Sequence, residues 1–475
     1  MSAVETMIRA GVTKGVQLLA DFNRKRMDTD APHPWLTGIH TPMTEEFTLA
    51  ELTVTGTIPQ ALEGRYLRIG PNPIRPDAAG HHWFTGDGMV HGVAISGGRP
   101  LWYRNRWIRS RAVTTAMGEP EAPGTRHATG GDTVNTNVLG IGGRIWALVE
   151  AGAYPVEMSD TLEDQRHNPF DATLAGSFTA HPHRDPATGD YHAIAYDPHT
   201  PQTVRHVMLS PAGQVVRDLP IPVQHGPCVH DCAITGRYVV VLDLPVTFSM
   251  KAVIGGHHFP YAWNPKHPAR VGLLPKSGNA DETIWYDVDP CFVFHVANGH
   301  DLPDGRVIID VVAYDTMFAE SLQGPDAVGR LERWTIDPAQ RRVSRHVVDT
   351  TPQEFPRCDE RRFGQDYRYA YTIGISPEGE FFGGASEIYK HDMAAGTRQV
   401  HDFGLGRAPG EFVFVPASAD AREDEGWLIG LVIDQQAETT DLVFIDASDF
   451  ASPPVAAIRI PHRIPPGFHG NWVAR

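Results

Sequence analysis

The sequence predicts an all-β fold, and within that class a β-propeller, on three observations. Strand-like runs rich in β-branched and aromatic residues alternate with short turn signals along most of the 475 residues. Turns of the SPEG, DPAQ and LPDG kind recur about every 10 to 20 residues, and 46 Gly with 39 Pro supply their chemistry. So many meander strands in one chain need radial repetition to protect their edges, which places a propeller ahead of a sandwich. No sharp repeat of the WD40 kind is present.

The elements follow in order. Residues 3–27 read as a helix, with Ile8, Val12, Val16, Leu19 and Phe22 at spacings of three and four and Arg9, Lys14, Arg24, Lys25 and Arg26 among them. Such a helix either lies in a membrane interface or packs on the body with its charges solvated. Gly11 and Gly15 weaken it as a free helix. The expected organisation is therefore an amphipathic segment, 1–27, followed by one body, 28–475. Hairpins are predicted at 90–95 with 101–108, 134–139 with 144–150, and 204–209 with 215–220. The same grammar continues through FVFHVANGHDLPDGRVIIDVVAYD, LERWTIDPAQRRVSRHVVD, YAYTIGISPEGEFFGG and GWLIGLVIDQQAETTDLVFIDA. One stretch, 246–263, carries Phe248, Met250, Val253, Ile254, Phe259, Tyr261 and Trp263 and is too apolar for an ordinary loop. Exposed, it would be a lipid or partner surface; buried, it would be core.

Composition narrows the function. With 41 basic and 57 acidic residues the net charge is −16, which argues against a nucleic-acid footprint. Cys228, Cys232, Cys291 and Cys358 are too few for a disulfide framework, and no cleavable signal peptide is expected, so a cytoplasmic protein with reduced thiols is predicted. No apolar run reaches the roughly 18 residues of a membrane-spanning helix, so membrane contact would be transient, at the inner face. Gly404 to Gly410 reads GLGRAPG, with Pro409 misplaced for a nucleotide-binding helix start, and is predicted to be a loop.

Four histidines, His181, His230, His295 and His469, each sit in a distinctive segment: TAHPHRDP, CVHDCAIT, FVFHVANG and GFHGNWV. Their separations of 49, 65 and 174 residues are too wide for a zinc finger, so a metal held by all four would need a closed fold to assemble it. Among 24 histidines a single one is more often a structural hydrogen-bonder. His230 and His295, however, lie in apolar strand-like runs where an unpartnered imidazole is costly. Zinc held by Cys228, His230 and Cys232 is disfavoured, because the two thiols alternate along a strand and lack CxxC spacing.

Nine ordered blocks carry a resemblance: GRYLRIGPNP (64–73), HHWFTGDGMVHGV (81–93), YRNRWIRS (103–110), NTNV (135–138), TAHPH (179–183), VHDCAIT (229–235), EFPR (354–357), GEFVFVP (410–416) and GFHGNW (467–472). From about residue 52 onward the chain resembles the carotenoid cleavage oxygenases. The resemblance implies a seven-bladed β-propeller, with an N-terminal helix and with helices and loops capping one face. It implies non-haem Fe(II) on the axis, held by His181, His230, His295 and His469, with His183 not nominated. It further implies that Glu150, Glu354 and Glu411 accept the second N–H of His230, His295 and His469, fixing each ring, while His181 goes without. Thr136 would limit access to an open coordination position, and Trp83, Phe84 and Tyr103 would lie on the cavity side.

Four neutral ligands would leave the ion its full charge and room for O2, the co-substrate, so that one alkene is cleaved to two carbonyl products without an external reductant. The expected substrate is a lipophilic carotenoid or apocarotenoid. The alternative is a stilbenoid, but stilbene-cleaving relatives use a lysine, with a tyrosine, just before NTNV, and no lysine occurs between Lys25 and Lys251. Arg126 or His127 would have to stand in, though a guanidinium is not a simple substitute for an ammonium. A retinoid isomerase would share the scaffold, and a non-catalytic binding propeller would not need the four histidines.

Overall fold

The computed structural model describes residues 3–128, 131–376 and 385–475, with backbone alone for 3–13. The side chains of Ile8, Arg9 and Val12 and the turn at 377–379 lie outside the described residues. Seven sheets of four or five strands form the blades of a seven-bladed β-propeller. The fourth blade illustrates how sequence becomes packing. Its second strand, Tyr238–Asp243, reads YVVVLD and is buried from Val239 onward, because neighbouring blades cover both its faces. In the third blade the edge strand Val215–Pro222 instead alternates half-buried and exposed positions, as an edge with one solvated face does.

Segments from opposite ends of the sequence clasp the ring. Strand Gly470–Ala474 pairs with Gly64–Pro71 and becomes the inner strand of the first blade, with Gly470 opposite Arg68. Strand Thr53–Gly56 pairs with Ala456–Ile460 and becomes the outer strand of the last blade. Both interlocks occupy sheet edges that would otherwise be open. The inner strands of successive blades touch one another about the axis from the fourth blade round to the second.

Three α-helices occur among the described residues: α1 (Ala3–Arg24), α2 (Arg111–Met117) and α3 (Met250–Gly255). α3 lies between strands Val246–Phe248 and Tyr261–Trp263, an excursion outside the blades. The apolar stretch 246–263 is therefore divided: Phe259 and Tyr261 are buried, whereas Met250 is 51% exposed. α1 rests on α3 through its polar side, where Asn23 Nδ2 donates to Ile254 O (2.8 Å) and Arg24 Nε to Gly256 O (2.9 Å). Ala20 is buried there, while Leu18, Leu19 and Phe22 are 62%, 52% and 56% exposed. The end of the apolar stripe, Leu19 and Phe22, thus faces away from the body, while Val16 is half-buried. No helix among the described residues is long and apolar enough to cross a membrane.

Candidate metal centre

β-Bulges turn three of the key side chains toward the axis. Register shifts fall between Val293 and Val296, Glu354 and Arg357, and Pro409 and Phe412, at His295, Glu354 and Glu411 respectively. A bulge re-aims a side chain that the regular pleat would send elsewhere. His181 and His230 do not lie within strands, as apolar neighbours suggested for His230, but just before the inner strands His183–Arg184 and Ala233–Ile234. His469 precedes the closing strand in a tight crossing. A Cβ on Gly70 would lie 2.4 Å from Gly467 Cα, so only glycine permits the approach. There Ile69 N–H donates to His469 O (3.0 Å) and His469 N–H to Thr136 O (3.2 Å). Ala151 and Phe355, each following a key glutamate, hold left-handed φ values of 60° and 50°, local strain of the kind found where side chains are presented to a site.

The four Nε2 atoms converge. His181 to His230 is 3.0 Å, and His230 to His295 and His295 to His469 are each 3.2 Å; one ligand atom from each of the four lies within 4.8 Å of the others. On the outer side, His230 Nδ1 meets Glu150 Oε2 at 2.9 Å, His295 Nδ1 meets Glu354 Oε2 at 2.6 Å, and His469 Nδ1 meets Glu411 Oε1 at 3.0 Å. Glu354 also accepts Tyr314 O–H (3.1 Å) and the Phe355 N–H, and Glu411 the Gly470 N–H (2.9 Å). Burial would raise the Glu411 carboxyl, but Arg357 and His469 more than offset it and hold it at about 2. Burial and the other histidines push His181 well below the ordinary range. Burial also lowers His469 despite Glu411, whereas at His295 the pull of burial is outweighed by Glu354, leaving it raised.

These contacts amount to a test of fit. A ring that donates Nδ1–H to a carboxylate turns an uncharged Nε2 lone pair inward. Several such lone pairs at 3.0–3.2 Å repel one another unless a cation lies among them. Nitrogens at right angles about one ion, each about 2.1 Å from it, would be about 3.0 Å apart. The donor set therefore suits a divalent transition metal. A second grouping, His183, Asp231 and Cys232, is different in kind: His183 Nε2 is 2.6 Å from Asp231 Oδ1, and burial with the Asp231 charge pushes the Cys232 thiol well up. Cys228 donates its S–H to Tyr196 Oη (3.2 Å).

Comparison with known proteins decides the family. The family described as retinal pigment epithelial membrane protein matches residues 40–474. A carotenoid cleavage oxygenase of Mycobacterium tuberculosis is 39% identical over 93% of this chain and 98% of its own. The chain belongs to the carotenoid cleavage oxygenase family. It is a dioxygenase-type oxidoreductase. Among solved structures, the oxygenase is similar to lignostilbene dioxygenase from Pseudomonas brassicacearum (TM-score 0.81, 27% identity, 94% of this chain and 100% of that one). It is also similar to a cobalt-substituted apocarotenoid oxygenase from Synechocystis (TM-score 0.80, 26% identity, 94% and 99%).

A cavity of about 380 Å³ opens onto His230, His295 and His469. Trp83, Phe84 and Thr136 line it, as do six aromatic residues that sequence reading did not place there: Tyr196, Phe259, Tyr261, Phe294, Phe355 and Phe468. Phe355 and Phe468 directly adjoin Glu354 and His469 in their motifs, a signal that could have nominated them. Tyr103 is elsewhere. It lies on the fourth strand out from the axis in the first blade, within the core, with its hydroxyl 3.0 Å from His91 Nδ1. Membership of a shared motif located the blade but not the depth. Neither Arg126 nor His127 lines the cavity: Arg126 Nε is bound to Asp132 Oδ2 (2.9 Å), and His127 packs edge-on against Tyr154. No lysine or arginine lines the cavity among the described residues, and its two carboxylates, Glu150 and Glu354, are both held by histidines.

Proposed function

We propose that the oxygenase holds Fe(II) through His181, His230, His295 and His469 and cleaves one double bond of a neutral carotenoid or apocarotenoid to two carbonyl products. The observation that carries the reading is the four-imidazole cluster, three of whose rings face an aromatic cavity free of lysine and arginine among the described residues. Iron bound there would supply the redox chemistry that joins O2 to an alkene. The chain's own part is positional. Glu150, Glu354 and Glu411 keep three rings in the tautomer that offers Nε2, and the aromatic wall orients an extended apolar molecule and excludes water. Thr136, 7% exposed with its hydroxyl bound to Asn135 Oδ1 (2.9 Å), narrows the approach to the ligand nitrogens.

The segment 1–27 is proposed as a docking element on the body formed by 28–475. Exposed Leu18, Leu19, Phe22 and Met250, beside Lys14, Lys25, Arg26 and Lys251, form a basic apolar surface suited to an anionic bilayer. α3 leads directly into His258 and Phe259, which line the cavity, so a lipophilic substrate would enter from that surface. A stilbenoid substrate is the second reading, favoured by an equal structural likeness to lignostilbene dioxygenase. Aerobic incubation of the Fe(II)-loaded protein with β-apo-8′-carotenal and with resveratrol, followed by absorbance and product masses, separates the two. Cleavage of the apocarotenal alone is expected; cleavage of resveratrol alone would overturn the substrate assignment.

A further inference from the structure

Among the described residues His181 is the one member of the cluster without a carboxylate partner, yet its segment is firmly held. His181 N–H donates to Thr179 Oγ1 (3.3 Å), and the preceding carbonyl, Ala180 O, accepts from Asn137 Nδ2 (2.7 Å). Asn137 is 6% exposed, and its Oδ1 accepts from Asn471 Nδ2 (2.9 Å) and from Val138 N–H (2.8 Å). Asn471 uses its remaining amide proton on Val138 O (3.0 Å), and its Oδ1 accepts from Arg357 Nη2 (2.9 Å). Arg357 Nη1 in turn donates to Glu411 Oε1 (3.2 Å), the oxygen that meets His469. An unbroken polar chain therefore runs from His181 to His469. It crosses the inner strands of the second, first, sixth and seventh blades, and its residues line a second cavity of about 140 Å³, which His181 lines although it does not line the aromatic one.

We infer that Asn137, Asn471 and Arg357 are positioning residues that set His181 against His469, so that metal affinity depends on closure of the ring by strand Gly470–Ala474. The inference rests on the metal reading above. Asn471 lies on the closing strand, and its amide pair with Asn137 spans the joint between that strand and the second blade. A metal bound by His469 on one side of this joint and by His181, beyond the second blade, would be a further link across it. Two links across one joint are thermodynamically coupled, so each strengthens the other. A half-buried amide and guanidinium tied to several partners in this way also leave the strand few alternative seatings.

The test uses the full chain stripped of metal and titrated with Co(II) against a competing chelator, read by visible absorption. Asn471→Ala and Arg357→Lys are expected to weaken cobalt binding by roughly 10- to 100-fold, with little change in the melting temperature of the metal-free protein. In the wild type, cobalt should slow amide exchange at 470–474, and in Asn471→Ala it should do so much less. Should Asn471→Ala fail to fold, Asn471→Ser and Arg357→Lys carry the same comparison. Variants that bind cobalt within about 2-fold of wild type while melting lower would reduce the chain to a structural ladder and overturn the inference. So would wild-type exchange at 470–474 that ignores cobalt. Wild type that takes up no cobalt would instead sink the metal reading, and this inference with it.

Discussion

Replacing Glu354 by Gln isolates the value of charge behind one imidazole of the four-histidine cluster. Glu354 is 1% exposed and accepts three donors: His295 Nδ1–H, Tyr314 O–H and Phe355 N–H. Glutamine keeps the shape. Its carbonyl oxygen can still accept from His295 and Phe355, and its NH2 can face Tyr314, whose hydroxyl turns to accept. What is lost is the charge-assisted character of the His295 bond, worth about 1–1.5 kcal/mol, which corresponds to about tenfold in metal affinity. The pH dependence carries a second signature. His295 is raised because Glu354 outweighs burial; with the charge removed, burial prevails and the ring stays neutral to lower pH. Protons then compete less for Nε2, so the deficit of Glu354→Gln should shrink as pH falls from 7 to about 5. Metal titration of the stripped protein against a chelator at several pH values measures both effects. Unchanged affinity at pH 7, or a deficit that widens in acid, would refute the reasoning.

Changing Glu354 to Ala instead orphans three donors and should lower stability by several kcal/mol, at about 1–3 kcal/mol for each, in denaturant unfolding. Buried neutral histidines should make the fold acid-sensitive: burial, the first cause at each, holds His82 and His206 at about 3 and His192 and His391 at about 4. Each would titrate at about 6.5 when unfolded, so their contribution is complete above that pH and is lost as pH falls toward 3 or 4, at up to about 1.4 kcal/mol per pH unit for each histidine; thermal unfolding across that range measures it. Leu19→Glu with Phe22→Glu should cut liposome cosedimentation about tenfold or more while leaving metal content unchanged. Tyr103→Phe should destabilise the first blade by about 1–3 kcal/mol, by leaving His91 without its partner, with no effect on KM, whereas Phe84→Ala should raise KM in the same steady-state assay.

The hairpins were legible because turn chemistry is local: SGGRP, GIGG and SPAGQ each join the strands that their flanks predict. Distinctive segments singled out the four histidines, but only the motif resemblance implied that they form one metal set, since His192 and His206 are also buried and merely face one another. The bulge at His295 was not legible, because Val293 to Val296 contains no glycine or proline to mark it, whereas Pro356 marks the one at Glu354 and Pro409 with Gly410 the one at Glu411. The motif containing Tyr103 gave its blade but not its distance from the axis. For α1, periodicity identified an apolar stripe; which face it turned to solvent depended on a partner, α3, more than two hundred residues away.

Ring and wall share only part of the chain: Phe294, Phe355 and Phe468 directly adjoin His295, Glu354 and His469, and the rest of the wall comes from elsewhere. His295, Glu354 and Glu411 ride on inner strands clamped by neighbouring blades, and His181, His230 and His469 directly adjoin such strands. Trp83 and Phe84, by contrast, sit on a short turn at 83–85, and Phe259 on the excursion beside α3. Drift in the second set reshapes the cavity without moving any of the four clustered imidazole nitrogens. A library for new substrates would accordingly randomise the turn and the excursion and leave the bulged strands untouched.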